Sequence, residues 1–336
     1  MDGVLTMFAT LAGTFRRQIP HQLYGDGRRL EVLAWAVIGL SQTKTINFNQ
    51  WAEVVLSKAK YSSSHQRRFQ RWLHNPHIKP GEYYPYLLQY ALRDWDWVEK
   101  LYVALDVSDL HNGWVLIRTA LIYRGRAIPV AWRVLPHHGS SVGYADYEPV
   151  LQQTLKALPR MGPMVFLLDR GFVHQALFRF VRQQPNCHLR VRAKISTLVR
   201  LADRRVVSMG QLCPPRGHLH LWSGVDVFGD GLTGPVHLAL AHSADTREEP
   251  WLIISDEPTH VTTGAEYALR FDIEENFLDD KSNGFDVEAS RLDTAAWERL
   301  FSVVAIATLY FTAIGTGVVK LKFRRLVDIH WDRGMS

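Results

Sequence analysis

Three apolar runs follow one another with little between them: "LYVALDVSD" from Leu101, "GWVLIRTALIY" from Gly113 and "AIPVAWRVL" from Ala127. Each is short and rich in β-branched and aromatic residues, which suits strands better than helices. Arg124-Gly125-Arg126 supplies a glycine-containing turn, so the second and third runs read as a hairpin. The order then changes. A loop, "PHHGSSVGYADYEP", leads to a helical "VLQQTLKAL", a strand "PMVFLLD", a helix "HQALFRFVRQQ" and a strand "CHLRVRAK". A chain that lays down three consecutive strands and then alternates helix with strand buries them as one mixed sheet with helices packed on it.

The flanks differ in texture. Residues 1–95 read as helical throughout. "RRLEVLAWAVIGLSQ" has the apolar spacing of a buried helix, and "NFNQWAEVVLSKA" follows with Asn47 or Asn49 as its cap. "SSSHQRRFQRWLHN" begins with serines at the cap, carries Arg67, Arg68 and Arg71 within about one turn, and is closed by Pro76 and Pro80. It reads as either a recognition helix or a solvated helix face. Residues 198–260 are short strand-like pieces broken by glycine and proline, a β-rich insertion, and a long helical tail starts near Thr262. Leu300–Val319 carries no charge, and about twenty such residues can span a bilayer. Ser302, Thr308, Thr312, Gly315, Thr316 and Gly317 dilute it, and no second such stretch exists in the sequence. A buried C-terminal helix is the expectation, with no membrane.

The chain has 336 residues, 47% hydrophobic and 21% charged, so it can bury a large core in one elaborated domain or two ordinary ones. Cys187 and Cys213 have no metal spacing and point to a reducing compartment. The first residues lack the pattern of a signal peptide, so a cytoplasmic location is expected. Net charge is +6, and residues 1–94 account for it, with 12 Lys and Arg against 6 Asp and Glu. Arg190–Arg216 holds seven basic residues against Asp203 alone. Two separated basic regions suit a long polyanion better than a small ligand. His137 and His138 read as either a pair at the mouth of a site or surface histidines, and no histidine has zinc spacing with a cysteine.

Two acids end apolar strands: Asp106 closes "YVALD" and Asp169 closes "VFLLD". Functional residues of open sheets gather outside the carboxyl ends of strands, though an acid there is also a common loop-starter. Asp109 is a lower-ranked substitute for Asp106, because only Asp106 directly ends the apolar run. A third acid comes from "YALRFDIEENFLDDKSNGF". "TGAE", Thr263–Glu266, matches a capping box and Asn283-Gly284 a helix stop. On one helix between them, Leu269, Ile273 and Phe277 form a stripe for the sheet. Tyr267, Arg270, Glu274 and Lys281 share an arc about 60° wide over roughly 21 Å of axis. Asp272, Glu275, Asp279 and Asp280 fall outside that arc and are expected to be solvated.

The spacing Tyr-x2-Arg-x3-Glu-x6-Lys resembles the signature of bacterial "insertion sequence four" transposases, within the DDE superfamily. "LDVSD" resembles their first-Asp strand, "LLDRGF" their second-Asp motif, and "EPWLIISDEP" their tryptophan-containing strand. The likeness covers about residues 97–325. It implies an α/β, RNase H-like catalytic domain from residues 96–197 and 261–295. Residues 198–260 would form the β-rich insertion, 1–95 a helical DNA-binding domain and 296–336 a helical C-terminal region. Glu274 lies 105 positions after Asp169, which suits the long-spaced members.

The resemblance further implies that Asp106, Asp169 and Glu274 hold two Mg2+ ions (or Mn2+) and cut phosphodiester bonds, with Asp106 bridging the ions. Hard cations that prefer few oxygen ligands fit such a set. Arg270 and Lys281, too far from Glu274 to quench it, would grip phosphates. The alternative is that they pair with Asp272 or Asp280. Tyr267 and Arg170 would also meet DNA, and Trp251 would either stack on a flipped base during hairpin formation or sit in the core. The partners implied are double-stranded transposon ends and target DNA, engaged by a homodimer in a bacterial, nucleoid-associated setting. Two other readings are an RNase H-like nuclease without strand transfer and a non-catalytic, transposase-derived DNA-binding protein.

Overall fold

The computed structural model describes residues 2–56, 61–93, 100–110, 113–137, 142–159, 162–245, 249–281, 284–289 and 292–327. The expected boundary near residue 95, His138 and Asn283 lie outside them. The N-terminal part is helical: α1 (Asp2–Gln18), α2 (His21–Tyr24), α3 (Gly27–Thr43), α4 (Phe48–Val54), α5 (Ser62–Leu73) and α6 (Pro80–Leu92). Asn47 caps α4, its side-chain oxygen accepting from Asn49 N–H at 3.0 Å. At α5 the cap is Tyr61 and makes no side-chain bond, so the serines lie inside the first turn instead of before it. Pro80 begins α6 where it was expected to end α5, since proline's missing donor is harmless in a helix's first turn. His65, Phe69, Trp72 and Leu73 bury one side of α5, and Arg67 and Arg71 stand exposed on the other, with Arg68 half-buried.

The rest is mixed α/β: β1 (Leu101–Leu110), β2 (Trp114–Tyr123), β3 (Arg126–Pro136), α7 (Tyr144–Ala157), β4 (Met164–Leu168), α8 (Gln175–Arg182) and β5 (Cys187–Arg192). α7 begins inside the stretch read as a loop. There follow β6 (Leu198–Arg200), β7 (Val206–Ser208), α9 (Met209–Leu212), β8 (His218–Phe228), β9 (Leu232–His242) and β10 (Trp251–Ser255). Then come α10 (Thr263–Ala268), α11 (Phe271–Asp280), α12 (Thr294–Lys320) and α13 (Arg324–Val327). One ten-stranded sheet runs in the order β3-β2-β1-β4-β5-β10-β9-β8-β6-β7. β1 is antiparallel to β2 and parallel to β4, and β4 is parallel to β5. β10 pairs antiparallel with β5 and with β9, so the β-rich segment continues the sheet and covers what would be an open edge at β5.

Neighbouring residues of a strand face opposite ways, and β2 shows which helices cover which side. Thr119 meets Thr154 of α7 at 2.5 Å. Arg118 points the other way, to Asp280 (2.5 Å) and Asn276 (2.8 Å) of α11, and lies over the Phe301 ring of α12. α12 is long and apolar enough to cross a membrane by length and composition. Its first half is packed into the protein against β3, α3 and α6, with Leu300, Phe301, Val303 and Val304 fully buried.

Two expectations about the helical tail fail here. Asp280, expected in solvent, is 2% exposed. Helix phase measured from Tyr267 ignores the joint between α10 and α11, where the backbone makes i→i−3 bonds (Arg270 N to Tyr267 O 3.0 Å, Ile273 N to Arg270 O 3.1 Å). Glu266 likewise does not serve as a capping box; it bonds Tyr102 OH at 2.7 Å and ion-pairs with buried Arg190. Lys281 follows α11, and Gly284 is needed beyond it because a Cβ there would stand 2.1 Å from the Asp279 carbonyl oxygen.

Removing one partner of a buried pair leaves an uncompensated charge. Arg118→Ala is therefore expected to destabilise the protein by roughly 3–5 kcal/mol in chemical denaturation, while Arg118→Met with Asp280→Leu is expected to be close to neutral.

Candidate active site

Register brings the first two acids together. Leu105 of β1 pairs with Leu168 of β4, so Asp106 and Asp169 follow side by side on adjacent parallel strands. Asp169 keeps an extended backbone, φ −82° and ψ 175°. Both side chains therefore leave the same side of the sheet, about 4.8 Å apart at the backbone. That side is the one α11 covers, because Asp106 pairs across β1 and β2 with Arg118. Asp109 is three residues on, and the pleat turns it to the opposite side. Glu274 comes from the first turn of α11, which Ile273 and Phe277 fasten to the sheet.

Asp106, Asp169 and Glu274 line one cleft of about 740 Å3, together with Arg170, Lys194 and Lys281. Lys194 was not singled out from the sequence, although it belongs to the basic stretch starting at Arg190. Arg170 reaches Glu249 at 2.9 Å, and both are well exposed. Lys281 does not pair with Asp272 or Asp280. It donates to the Asp109 carbonyl oxygen at 2.5 Å and ion-pairs with Glu288 at 3.2 Å, which pins the end of α11 to the end of β1.

Arg270 departs most from expectation. It lies in the helix joint close to Glu274, not at a quenching-free distance. Its Nη1 donates to Asp106 Oδ2 (2.8 Å) and its Nη2 to Glu274 Oε1 (2.5 Å). The side chain is 3% exposed, so in this state it grips no external phosphate. Tyr267 is likewise fully buried, and its hydroxyl donates to the Leu168 carbonyl oxygen at 3.1 Å, one residue before Asp169. It braces the β4 tip instead of facing DNA. Trp251 falls between its two readings: half-buried, it packs against Tyr267 and Phe271 at centroid distances of 6.0 and 5.8 Å. Arg67, Arg68 and Arg71 are not among the cleft residues.

Electrostatics follow from this crowding. Burial pushes the Asp106 carboxyl up to about 6, with Arg270 pulling it back and Glu274 and Asp169 adding to the rise. Burial works against the Arg270 charge, but Tyr267, Asp106, Asp169 and Glu274 outweigh it and hold the guanidinium above its ordinary value.

No protein-family profile and no curated sequence matches this chain. Among solved structures, one similar in shape is a cryo-EM structure of the piggyBac transposase synaptic complex with hairpin DNA. The TM-score is 0.49 at 10% sequence identity, over 94% of this chain and 76% of that one.

The donor chemistry of the cleft suits a hard divalent cation: three carboxylates, and a positive group already drawn between two of them. No group of three Asp, Glu, His or Cys side chains among the described residues is already gathered around a single point. Between Asp106 and Glu274 the intervening group is Arg270.

Asp106 gives a direct check. A carboxyl held above its ordinary value of about 3.9 contributes stability that is fully present below about pH 4 and lost as pH rises through about 6. Arg270 is its strongest charge-stabilising neighbour, so Arg270→Gln is expected to move the Asp106 titration, followed by carboxyl NMR, upward from about 6.

Proposed function

We propose that this protein is a DNA transposase of the DDE type that cuts and rejoins phosphodiester bonds with divalent cations held by Asp106, Asp169 and Glu274. The observation that carries the reading is the meeting of these three acids in one cleft rimmed by Arg170, Lys194 and Lys281. The strand order β3-β2-β1-β4-β5, with β1 antiparallel to β2 and parallel to β4, is the arrangement that the resemblance to an RNase H-like domain implies. Together with the Tyr-Arg-Glu-Lys spacing and a β-rich segment between Asp169 and Glu274, it favours an insertion-sequence transposase.

Bound Mg2+ or Mn2+ would supply charge neutralisation at the scissile phosphate and activation of the attacking hydroxyl. The chain's own residues do the rest. Asp106 and Asp169, fixed by strand register, present oxygens from the sheet, and Glu274 presents one from α11. Arg170, Lys194 and Lys281 hold the flanking phosphates in line with that row. The joining of 3′ ends to target DNA by a homodimer, through a hairpin intermediate, is the fuller activity proposed here.

α5 supports the polyanion part. Arg67, Arg68 and Arg71 make no ion pair among the described residues, and the end of α5 is tied to the catalytic face of the sheet. Arg299 of α12 donates to the Leu73 carbonyl oxygen at 2.7 Å. The neighbouring Glu298 carbonyl accepts from Trp132 at 3.0 Å, and Trp132 pairs through Arg118 with Asp106. The C-terminal end of α5 is thus linked through α12 to the strand row that carries Asp106.

Two measurements test this. A labelled duplex built from the DNA bordering the gene, incubated with Mn2+ and supercoiled plasmid, is expected to be cleaved and joined. Asp106→Asn, Asp169→Asn and Glu274→Gln are each expected to reduce both steps at least about 10^3-fold. Cleavage without joining would make the protein a nuclease, and binding without cleavage a DNA-binding relative. Separately, Arg67→Ala with Arg71→Ala is expected to weaken duplex binding regardless of sequence and to lower the slope of log affinity against log salt by about two.

A further inference from the structure

We propose that Arg270 is a built-in counter-ion of the carboxylate cleft, holding the acids in the cation-free protein at the position a divalent ion must take over. The inference rests on reading the cleft as a cation site and adds a residue that governs how that site is loaded. Its guanidinium is bonded to Asp106 Oδ2 and Glu274 Oε1, one oxygen from the sheet and one from α11. Those are oxygens that the cation needs. A hard ion that binds both acids competes with Arg270 for them, and two cations at hydrogen-bond range of each other repel.

Three features mark the guanidinium as displaceable and not simply structural. Its Nε–H is buried without a partner among the described residues, so this position leaves one donor unsatisfied. Arg270 lies in the joint between α10 and α11, where i→i−3 bonds replace the regular helical ladder, so its backbone is not locked inside a helix interior. The elements on either side are anchored independently. α10 is held by Tyr267 on Leu168 and by Glu266 on Arg190. α11 is held by Asp280 on Arg118. The side chain can therefore turn from the acids toward the cleft without either helix leaving the sheet.

Displacement yields a linkage. A phosphate in the cleft offers the freed guanidinium a new bidentate partner, while a cation offers the acids theirs. Each ligand relieves a cost of binding the other, so divalent cation and DNA backbone bind cooperatively, and by reciprocity each raises the affinity of the other. Without DNA, Arg270 occupies oxygens of Asp106 and Glu274 that a cation would need, so the cleft takes up cations poorly.

The test is Mn2+ binding to the DNA-free, full-length protein at pH 8, followed by calorimetry and by the paramagnetic signal of free Mn2+. Arg270→Gln is expected to bind Mn2+ about tenfold more tightly than the parent, the scale of one charge-assisted hydrogen bond. It is also expected to melt at a lower temperature without Mn2+ and to recover more on adding it. Arg270→Lys, whose single ammonium does not reproduce the fork, should fall between and serves if the glutamine variant does not fold. Mn2+ affinity equal to or weaker than the parent's in these variants would overturn the counter-ion role. Asp106→Asn and Glu274→Gln in the same titration separate the two claims. If both still bind Mn2+ as the parent does, the cation cleft itself is wrong. If both lose binding while the Arg270 variants show no tightening, only the counter-ion role falls.

Discussion

Setting the Asp106 carboxyl in a half-buried cleft beside Asp169 and Glu274 strips it of hydrating water, and that cost governs the rest of this site. Asp106 and Asp169 have no freedom to avoid each other, because the β1–β4 register sets them side by side. Burial removes the water that would otherwise screen them. Something positive has to stand nearby, and Arg270 does so with two hydrogen bonds from one planar group. A lysine on the same joint would neutralise a single carboxylate and leave the other exposed to its neighbours. Burial is the main cause of the raised Asp106 value, and Arg270 offsets part of it.

The positions of the acids depend in turn on pairs far inside the sheet. Arg118 and Asp280 are 1% and 2% exposed at their side chains. Such pairs add little net stability once desolvation is counted, but they penalise any arrangement that separates them. Here the penalty falls on movement of α11, and so on Glu274. The Arg190 group does the same for α10: Glu257 at 3.0 Å, Glu266, and Tyr102 on Glu266. Lys100 extends it by ion-pairing with Glu257 at 2.9 Å. Between these two anchors lies the short joint with Arg270, where i→i−3 bonds take the place of the regular helical ladder.

What could be read from the sequence follows from the range of the interactions involved. The mixed sheet was legible, because strand hydrophobicity and turn chemistry are local, and so was Asp169 just past the last residue of β4. Asp106 ends an apolar run but lies inside β1, which continues to Leu110 because β2 still pairs with it. Helix phase from Tyr267 separated Glu274, which lines the cleft, from Glu275 and Asp279, which do not, although all three are exposed. It misjudged Asp280, whose burial depends on Arg118, more than 150 positions earlier in the chain and on another element. It also misjudged Arg270 and Tyr267, because a shared arc says nothing about whether that arc faces solvent or a strand tip. Lys194 had only its membership of a basic run to recommend it, and nothing local distinguishes it from Arg192 two residues before.

The β-rich segment gains a role from the way it joins the sheet. Because β10 lies against β5, its first residue, Trp251, arrives beside Tyr267 and Phe271. Those two residues flank Arg270, whose guanidinium carbon stands 6.0 Å from the Tyr267 ring centroid and 5.1 Å from that of Phe271. The indole thus forms the outer layer of an aromatic wall whose inner layer contacts the counter-ion. The indole is half-buried against this wall, so neither of its two readings, core residue or stacking platform, describes its seat by itself.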